Sequence, residues 1–129
     1  MRENKLRTLW AANKPAINGW LAIPNGFSAE VMGLQGWDTL TIDMQHGLID
    51  EGALLTMLQA LQSTPAMPVV RAPWLDPAPL MKILDAGAQA LICPMVNTRE
   101  DAQRFVSYTH YAPRGGRSFG PVRAGLVHG

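Results

Sequence analysis

The sequence predicts an α/β fold in which short parallel strands alternate with helices. Four apolar runs of strand length are each followed by a longer stretch with helical spacing, as in a parallel sheet with helical crossovers. The run ALICPM is apolar throughout, which is typical of a sheet covered on both faces. Four such units fit a small open α/β domain or the first half of an eight-stranded barrel, which needs ~250 residues. The turn-rich end, APRGGRSFGPVRAGLVHG, has no further predicted element and favours the half-barrel.

The first unit follows from helical spacing and turn residues. Leu6, Leu9 and Trp10 share one helical face and predict a helix over Met1–Asn13. The next run, AINGWLAI, predicts a strand over Ala16–Ile23, which the turn sequence PNG closes.

The next elements begin at candidate capping residues. Ser28 is the candidate N-cap of a short helix that ends at Gln35, just before a glycine. A strand over Thr39–Asp43 follows. Asp50 then caps a helix through Gln62, which carries four leucines on one face.

The last units are bounded by proline, glycine and a second capping pattern. A strand over Pro68–Arg71 precedes a helix over Asp76–Asp85, whose proline occupies a first-turn position that needs no N–H. A strand over Ala90–Met95 precedes a helix over Thr98–Tyr108. Asp101, three residues after the candidate cap Thr98, completes an aspartate form of the capping box.

Composition argues against several classes of protein. The 129 residues, 47% hydrophobic and 16% charged, suit one globular domain. A net charge of +1 gives no electrostatic reason to expect nucleic acid or an anionic membrane as partner. Cys93 is the single cysteine, which fits a reducing compartment. No apolar run approaches the ~20 residues that span a bilayer, and no signal-peptide core is present, so we expect a cytoplasmic protein.

Polar side chains gather where two predicted strands end. Asp43 ends one strand, with Gln45 and His46 just beyond it, and Arg71 ends the next. The carboxyl ends of parallel strands form the working edge of such folds. Arg71 can hold a carboxylate through two parallel hydrogen bonds, and His46 can accept a proton near neutral pH. Asp43 either orients His46, holds water in the outer shell of a metal ion, or caps backbone N–H groups of the following turn.

Four motifs resemble the HpcH/HpaI aldolase family: DMQHG at 43–47, VVRAPW at 69–74, LDAGAQALICPMV at 84–96 and PRGGRSFGPVRA at 113–124. The resemblance implies that residues 1–129 form the N-terminal part of a single (β/α)8 barrel domain. It implies an enzyme that reversibly cleaves 4-hydroxy-2-oxo acids, including 2-keto-3-deoxy sugar acids, to pyruvate or a related 2-oxo acid and an aldehyde. A divalent metal ion (Mg, Mn or Co) would assist enolate formation. The resemblance also implies that the protein is a homo-oligomer.

The resemblance also assigns roles to residues. His46 resembles the general base, which works through metal-bound water, and Arg71 resembles the group that stabilises the enolate and its carboxylate. Asp85 resembles an acid that increases the basicity of that histidine. The residue pattern by itself gives Asp85 no such role, because a carboxylate at a helix end opposes the dipole and this helix runs away from the strand ends.

Two departures from the family pattern concern the metal. Many relatives have glutamate where this sequence has Gln45, so we expect altered metal affinity rather than loss of chemistry. The family's metal ligands, a glutamate and an aspartate, lie in the second half of the barrel, so no metal ligand is assigned among these residues.

Two alternative functions remain open. The chain can be a non-catalytic half-barrel that self-associates or complements a missing half. It can also be a citrate-lyase type of enzyme acting on CoA esters. The DMQHG and VVRAPW motifs match the aldolases better, and nothing in the sequence offers a dedicated CoA site.

Overall fold

The computed structural model describes residues 3–128, so the first two residues of the helix expected over Met1–Asn13 lie outside the described range. The predicted strands and helices form, with ends that shift by a few residues. The elements are α1 (Lys5–Ala11), β1 (Asn18–Leu21), α2 (Gly26–Gly33), β2 (Thr39–Asp43), α3 (Glu51–Gln62), β3 (Met67–Arg71), α4 (Pro77–Asp85), β4 (Ala90–Ile92), α5 (Arg99–Thr109) and α6 (Ala124–His128). None of the helices within residues 3–128 has the length and apolar character to cross a membrane.

The sheet has four parallel strands in the order β1-β2-β3-β4. Because each strand pairs with the next one along the chain and crossovers keep one hand, the connecting helices gather on one face of the sheet. That face carries the core. Its strand members are Leu21, Leu40, Ile42 and Val70, and its helix members include Ala29, Leu54, Met57, Leu58, Leu61, Leu80 and Ile83.

The opposite face of the sheet, called the open face below, lies away from the helix-covered core, although its central side chains Thr39, Thr41 and Val69 are buried. Side chains alternate along each strand, so this face receives Asn18 and Trp20 from β1, Thr39, Thr41 and Asp43 from β2, Val69 and Arg71 from β3, and Ile92 from β4. The Asn18 side-chain oxygen accepts the hydroxyl hydrogens of Thr39 and Thr41, at 2.8 and 3.0 Å. Helix α1 borders the amino end of this face with Leu6 and Trp10. A sheet with helices on one face and polar side chains on the other has the architecture of a barrel wall.

The expected coverage of the fourth strand on both faces is wrong. Strand β4 is half-buried, and Ile92 is 38% exposed, because β4 is an edge strand of the described sheet and faces its open side. The strand also ends at Ile92 instead of Met95. Pro94 has no N–H to give to a ladder, and Met95 has a φ of +56°, which is incompatible with a strand.

The cap of the second helix also differs from the expectation. Asn25 caps α2, because its side chain accepts the backbone N–H of Ser28 at 2.8 Å, and Ser28 lies inside the helix. The caps expected at Asp50 and Thr98 are confirmed, and Asp76, expected inside its helix, is also a cap. Asp50 and Asp76 cap α3 and α4, and Thr98 caps α5 in a reciprocal capping box.

The turn-rich end of the chain, where no element was expected, forms α6 and docks beneath α3 and α4. Arg123 donates from Nη1 to the Ala86 carbonyl oxygen at 2.7 Å and from Nη2 to Gln62 Oε1 at 2.6 Å. His128 Nε2 lies 3.0 Å from the Gly87 carbonyl oxygen. The Arg123 guanidinium at the carboxyl ends of α3 and α4 complements their dipoles, which stabilises the docked segment.

Candidate functional site

Asp43 and Arg71 lie side by side at the carboxyl ends of β2 and β3. They are register partners, so both side chains emerge on the open face of the sheet. The guanidinium donates from Nε to Oδ1 at 2.8 Å and from Nη2 to Oδ2 at 2.6 Å, which makes a bidentate ion pair. Asp43 is buried and the Arg71 side chain is 22% exposed. The pair is therefore sheltered from water on the side of the carboxylate and accessible on the side of the guanidinium.

The Asp43 carboxylate accepts three further hydrogen bonds. The backbone N–H groups of Gln45 and His46 donate to Oδ1 at 3.0 and 3.3 Å, and the Trp20 indole N–H donates to Oδ2 at 3.2 Å. The Arg71 guanidinium, helped by these donors, holds the pKa of Asp43 well below its usual range although burial opposes the shift. Asp43 is therefore an anion at neutral pH, and both of its oxygens have hydrogen-bond partners. Three roles were considered for Asp43: orienting His46, holding metal-bound water, and capping the following turn. The structure shows the third, because Asp43 accepts the backbone N–H groups of that turn.

His46 occupies the turn that Asp43 caps. Its backbone is fixed by the carboxylate, and the next residue must be glycine, because a Cβ on Gly47 would lie 2.3 Å from the Asp43 carbonyl oxygen. The His46 side chain is exposed, and no residue within 3–128 hydrogen-bonds its imidazole. The turn thus holds His46 in place while leaving its ring nitrogens free for a ligand or water. Gln45, also expected near this site, lies half-buried in the same turn.

Asp85 does not join this group. It ends α4, which runs from the carboxyl end of β3 to the amino end of β4, so Asp85 lies at the other end of the sheet from His46. There its carboxylate pairs with Arg117 Nη2 at 2.5 Å. The Arg117 guanidinium also lies over the Tyr111 ring, 4.7 Å from its centroid. Within one chain, the structure brings together His46, Arg71, Asp43 and Gln45, and leaves Asp85 apart.

The motifs of this site match a known family over most of the chain. The family model described as HpcH/HpaI aldolase/citrate lyase matches residues 17–125, which include Asp43, His46, Arg71 and Asp85. The chain belongs to this family.

Relatives and solved structures of the HpcH/HpaI family all match nearly the whole of this chain over about half of their own length. A hydroxypyruvate/pyruvate aldolase of Rhizorhabdus wittichii is 48% identical over 98% of this chain and 50% of the relative. A 4-hydroxy-2-oxo-heptane-1,7-dioate aldolase of Salmonella dublin is 39% identical over 95% of this chain and 46% of the relative. The crystal structure of an HpcH/HpaI aldolase/citrate lyase family protein from Burkholderia cenocepacia superposes with a TM-score of 0.91 at 32% identity. The superposition includes 97% of this chain and 52% of the Burkholderia protein. The chain thus spans about half the length of the relatives it matches, and its fold matches half of a family barrel.

Metal dependence is typical of the HpcH/HpaI family. No group of three or more His, Cys, Asp or Glu side chains that could hold a metal occurs within residues 3–128. At the site itself, both oxygens of Asp43 are occupied by N–H donors. The described residues do not form a metal site.

Sequence reasoning missed two residues that contact the expected site residues. Trp20 reaches Asp43 and Arg71 from β1, and Arg117 pairs with Asp85. The place of Trp20 at the site could have been predicted from the sequence. It lies one position before the end of its strand, so its side chain shares the open face with the strand-end residues of β2 and β3. The contact of Arg117 with Asp85 could not have been predicted, because Arg117 lies in a loop whose path the sequence pattern does not predict.

Proposed function

We propose that this chain supplies the carboxylate-binding and proton-transferring residues of a pyruvate aldolase, as the N-terminal part of one barrel domain. The reaction is the reversible cleavage of a 4-hydroxy-2-oxo acid to pyruvate, or a related 2-oxo acid, and an aldehyde. The observation that carries the proposal is the Asp43–Arg71 pair at the strand ends with the unpartnered His46 imidazole beside it. The names of two aldolase relatives support the substrate class.

Arg71 is the substrate-binding group in this proposal. A guanidinium has five N–H donors, and Asp43 takes two of them, so three remain for a ligand. The fixed pair presents these donors in a constant position, and they stabilise the negative charge that develops on the enolate and the charge of the substrate carboxylate. A lysine here would not reproduce this arrangement, because its ammonium lacks the planar fork.

His46 is the proton-transfer group. In the cleavage direction the 4-hydroxyl proton passes to the imidazole, directly or through a bound water, while the C3–C4 bond breaks. The electron pair of that bond moves toward the 2-oxo group and gives the enolate of pyruvate together with the aldehyde. A proton returned to C3 then forms the pyruvate methyl group. The exposed ring and the fixed backbone of His46 suit this exchange with a mobile ligand.

We propose that any metal ion acts through ligands outside residues 3–128, since the described residues do not form a metal site. The neutral Gln45 would then modify the electrostatic surroundings of the ion without binding it. Asp85 can influence His46 only from a second copy of the chain, because within one copy it lies at the opposite end of the sheet. The role suggested for it therefore requires a homo-oligomer.

Deuterium incorporation into the methyl group of pyruvate, followed by NMR in D2O with and without Mn²⁺, tests this function without an aldehyde. We expect exchange that is lost in His46→Ala and Arg71→Lys and retained in His110→Ala. His110 is a matched control, because it is an exposed histidine on α5's end, far along the chain from the site. Undiminished exchange in His46→Ala would remove this histidine from the reaction.

A second candidate function is that of a structural half-barrel, and the two open strands favour it. Strands β1 and β4 each pair with one neighbour only among the described residues, and both lie parallel to the rest of the sheet. A second copy related by a two-fold axis could pair its β1 with β4, and its β4 with β1. Absence of methyl exchange in a folded wild-type chain, together with a dimer by light scattering, would favour this function over catalysis by the chain alone.

A further inference from the structure

Trp20 contacts both members of the Asp43–Arg71 pair through different interactions. Its indole N–H donates to Asp43 Oδ2 at 3.2 Å, and the central carbon of the Arg71 guanidinium lies 4.9 Å from the centroid of its ring. Strand β2 lies between β1 and β3, so Trp20 and Arg71 approach the carboxylate from opposite neighbours. The ring thus reaches across Asp43 to the guanidinium.

Core packing does not account for a tryptophan at this position. The side chain is 45% exposed, and it emerges on the open face of the sheet, away from the helix-covered core. A large aromatic residue that remains this exposed contributes little burial for its size. Its two polar contacts within the described chain are both directed to the site.

The two interactions restrict different motions of Arg71. The bidentate bond to Asp43 fixes one edge of the guanidinium, but a plane held along one edge can still tilt about it. An aromatic ring beneath the guanidinium carbon opposes its displacement through the attraction of the ring for the cation. We propose that Trp20 is a positioning residue that fixes the plane of the Arg71 guanidinium and so directs its remaining N–H groups at the substrate carboxylate. The identity of that ligand as a 2-oxo acid rests on the proposed function; the positioning of Arg71 does not.

The direct test is the rate at which the Arg71 Nε–H exchanges with water, measured by ¹⁵N NMR on the full chain. We expect Trp20→Leu to accelerate the exchange by about tenfold, as for the loss of one charge-assisted hydrogen bond and one cation–π contact. Trp20→Phe retains the ring and loses only the N–H, so we expect a smaller acceleration of about threefold. Trp10→Leu is the matched control: Trp10 is 63% exposed on α1 and contacts neither Asp43 nor Arg71.

The spectrum of the methyl groups shows whether each variant keeps its fold, and Trp20→Phe carries the test if Trp20→Leu does not. Exchange of the Arg71 Nε–H at the wild-type rate in a folded Trp20 variant would overturn the proposal. A titration with pyruvate separates this result from the proposed function. If the Trp20 variants accelerate exchange but pyruvate shifts no resonance of the wild type, the positioning stands and the aldolase proposal fails. If pyruvate protects Arg71 equally in all variants and their exchange rates are unchanged, the positioning fails and the aldolase proposal stands.

Discussion

The Asp43 carboxylate carries a full charge in a buried position, which is costly unless every oxygen is compensated. Five N–H donors from β1, β3 and the following turn provide that compensation. The carboxylate therefore does two things at once. It fixes the guanidinium of Arg71, and it fixes the backbone from which His46 projects.

We expect Asp43→Asn to lower the free energy of unfolding by about 2–3 kcal/mol, because the amide loses the charge and one of the acceptors and leaves Arg71 without its counter-ion. Urea denaturation followed by circular dichroism measures the change. Asp50→Asn is the control. Asp50 accepts one backbone N–H at the start of α3, where asparagine is an equally good cap, so this variant should resemble the wild type. Equal stability of the two variants would show that the buried pair contributes little.

The depressed pKa of Asp43 also predicts how stability depends on pH. Its folded-state pKa lies below the unfolded value of about 4, so its contribution is complete above that pH and is lost as the pH falls toward the folded-state value. We therefore expect the stability difference between wild type and Asp43→Asn to shrink as the pH falls from about 4 toward 2. Urea midpoints at pH 7, 4 and 3 measure it. A difference that stays constant over this range would contradict the assignment. Asp101, whose pKa is lowered to about 2 by its Arg104 partner, is also present in the variant, so its contribution to the pH dependence cancels in the difference.

Arg123 joins the end of the chain to the carboxyl ends of two helices. Its guanidinium contacts Ala86 and Gln62 as described, its backbone N–H donates to the Asp85 carbonyl oxygen at 3.2 Å, and burial lowers the pKa of its side chain. The cost of desolvating the guanidinium is offset by its hydrogen bonds to the Ala86 carbonyl oxygen, just past the end of α4, and to the Gln62 side chain.

We expect Arg123→Met to release α6 while leaving the sheet intact, because methionine keeps the apolar stem and removes the donors. Amide hydrogen exchange in residues 124–128 should accelerate by about tenfold or more, as for the loss of hydrogen bonds from a charged group. Exchange in β2 and β3 should not change. Arg114→Met removes an exposed arginine from the neighbouring loop and is the control. Unchanged protection of α6 in Arg123→Met would show that apolar packing alone holds it.

Within residues 3–128, the sheet has one face covered by helices and one open face, and its edge strands β1 and β4 each pair with one neighbour. Exposed parallel edges of this kind favour association with further strands. Apolar side chains on the open face, such as Ile92 at the edge strand β4, add to that tendency.

We expect Ile92→Lys to shift the chain toward the monomer, because a charge on an edge strand opposes strand pairing. Analytical ultracentrifugation over a range of concentrations measures the shift. Val106→Lys is the matched control: Val106 is 53% exposed and belongs to helix α5, outside the sheet. A wild-type chain that is monomeric at every concentration, or equal association of the two variants, would contradict edge pairing.

Much of the fold could be predicted because its signals are local. The caps at Asp50, Asp76 and Thr98 depend on side chains that reach backbone groups two or three residues away, within one turn of helix. The end of β4 was placed too late, because ALICPM reads as a strand until the proline and the positive φ of Met95 interrupt it. The helix at the chain end was missed, because its order depends on contacts with α3 and α4 and not on its own five residues.

By itself, the sequence determined the alternation of strands and helices and placed Asp43, His46 and Arg71 at strand ends, since periodicity and parallel topology are enough for both. Only the tertiary structure decided which side chains pair: Asp43 with Arg71, 28 residues apart, Trp20 with Asp43, 23 apart, and Asp85 with Arg117, 32 apart. The physical reason is range. Helical and strand spacing is a property of the backbone over a few residues, whereas these contacts depend on strand register and loop path, which are settled by the packing of the whole chain.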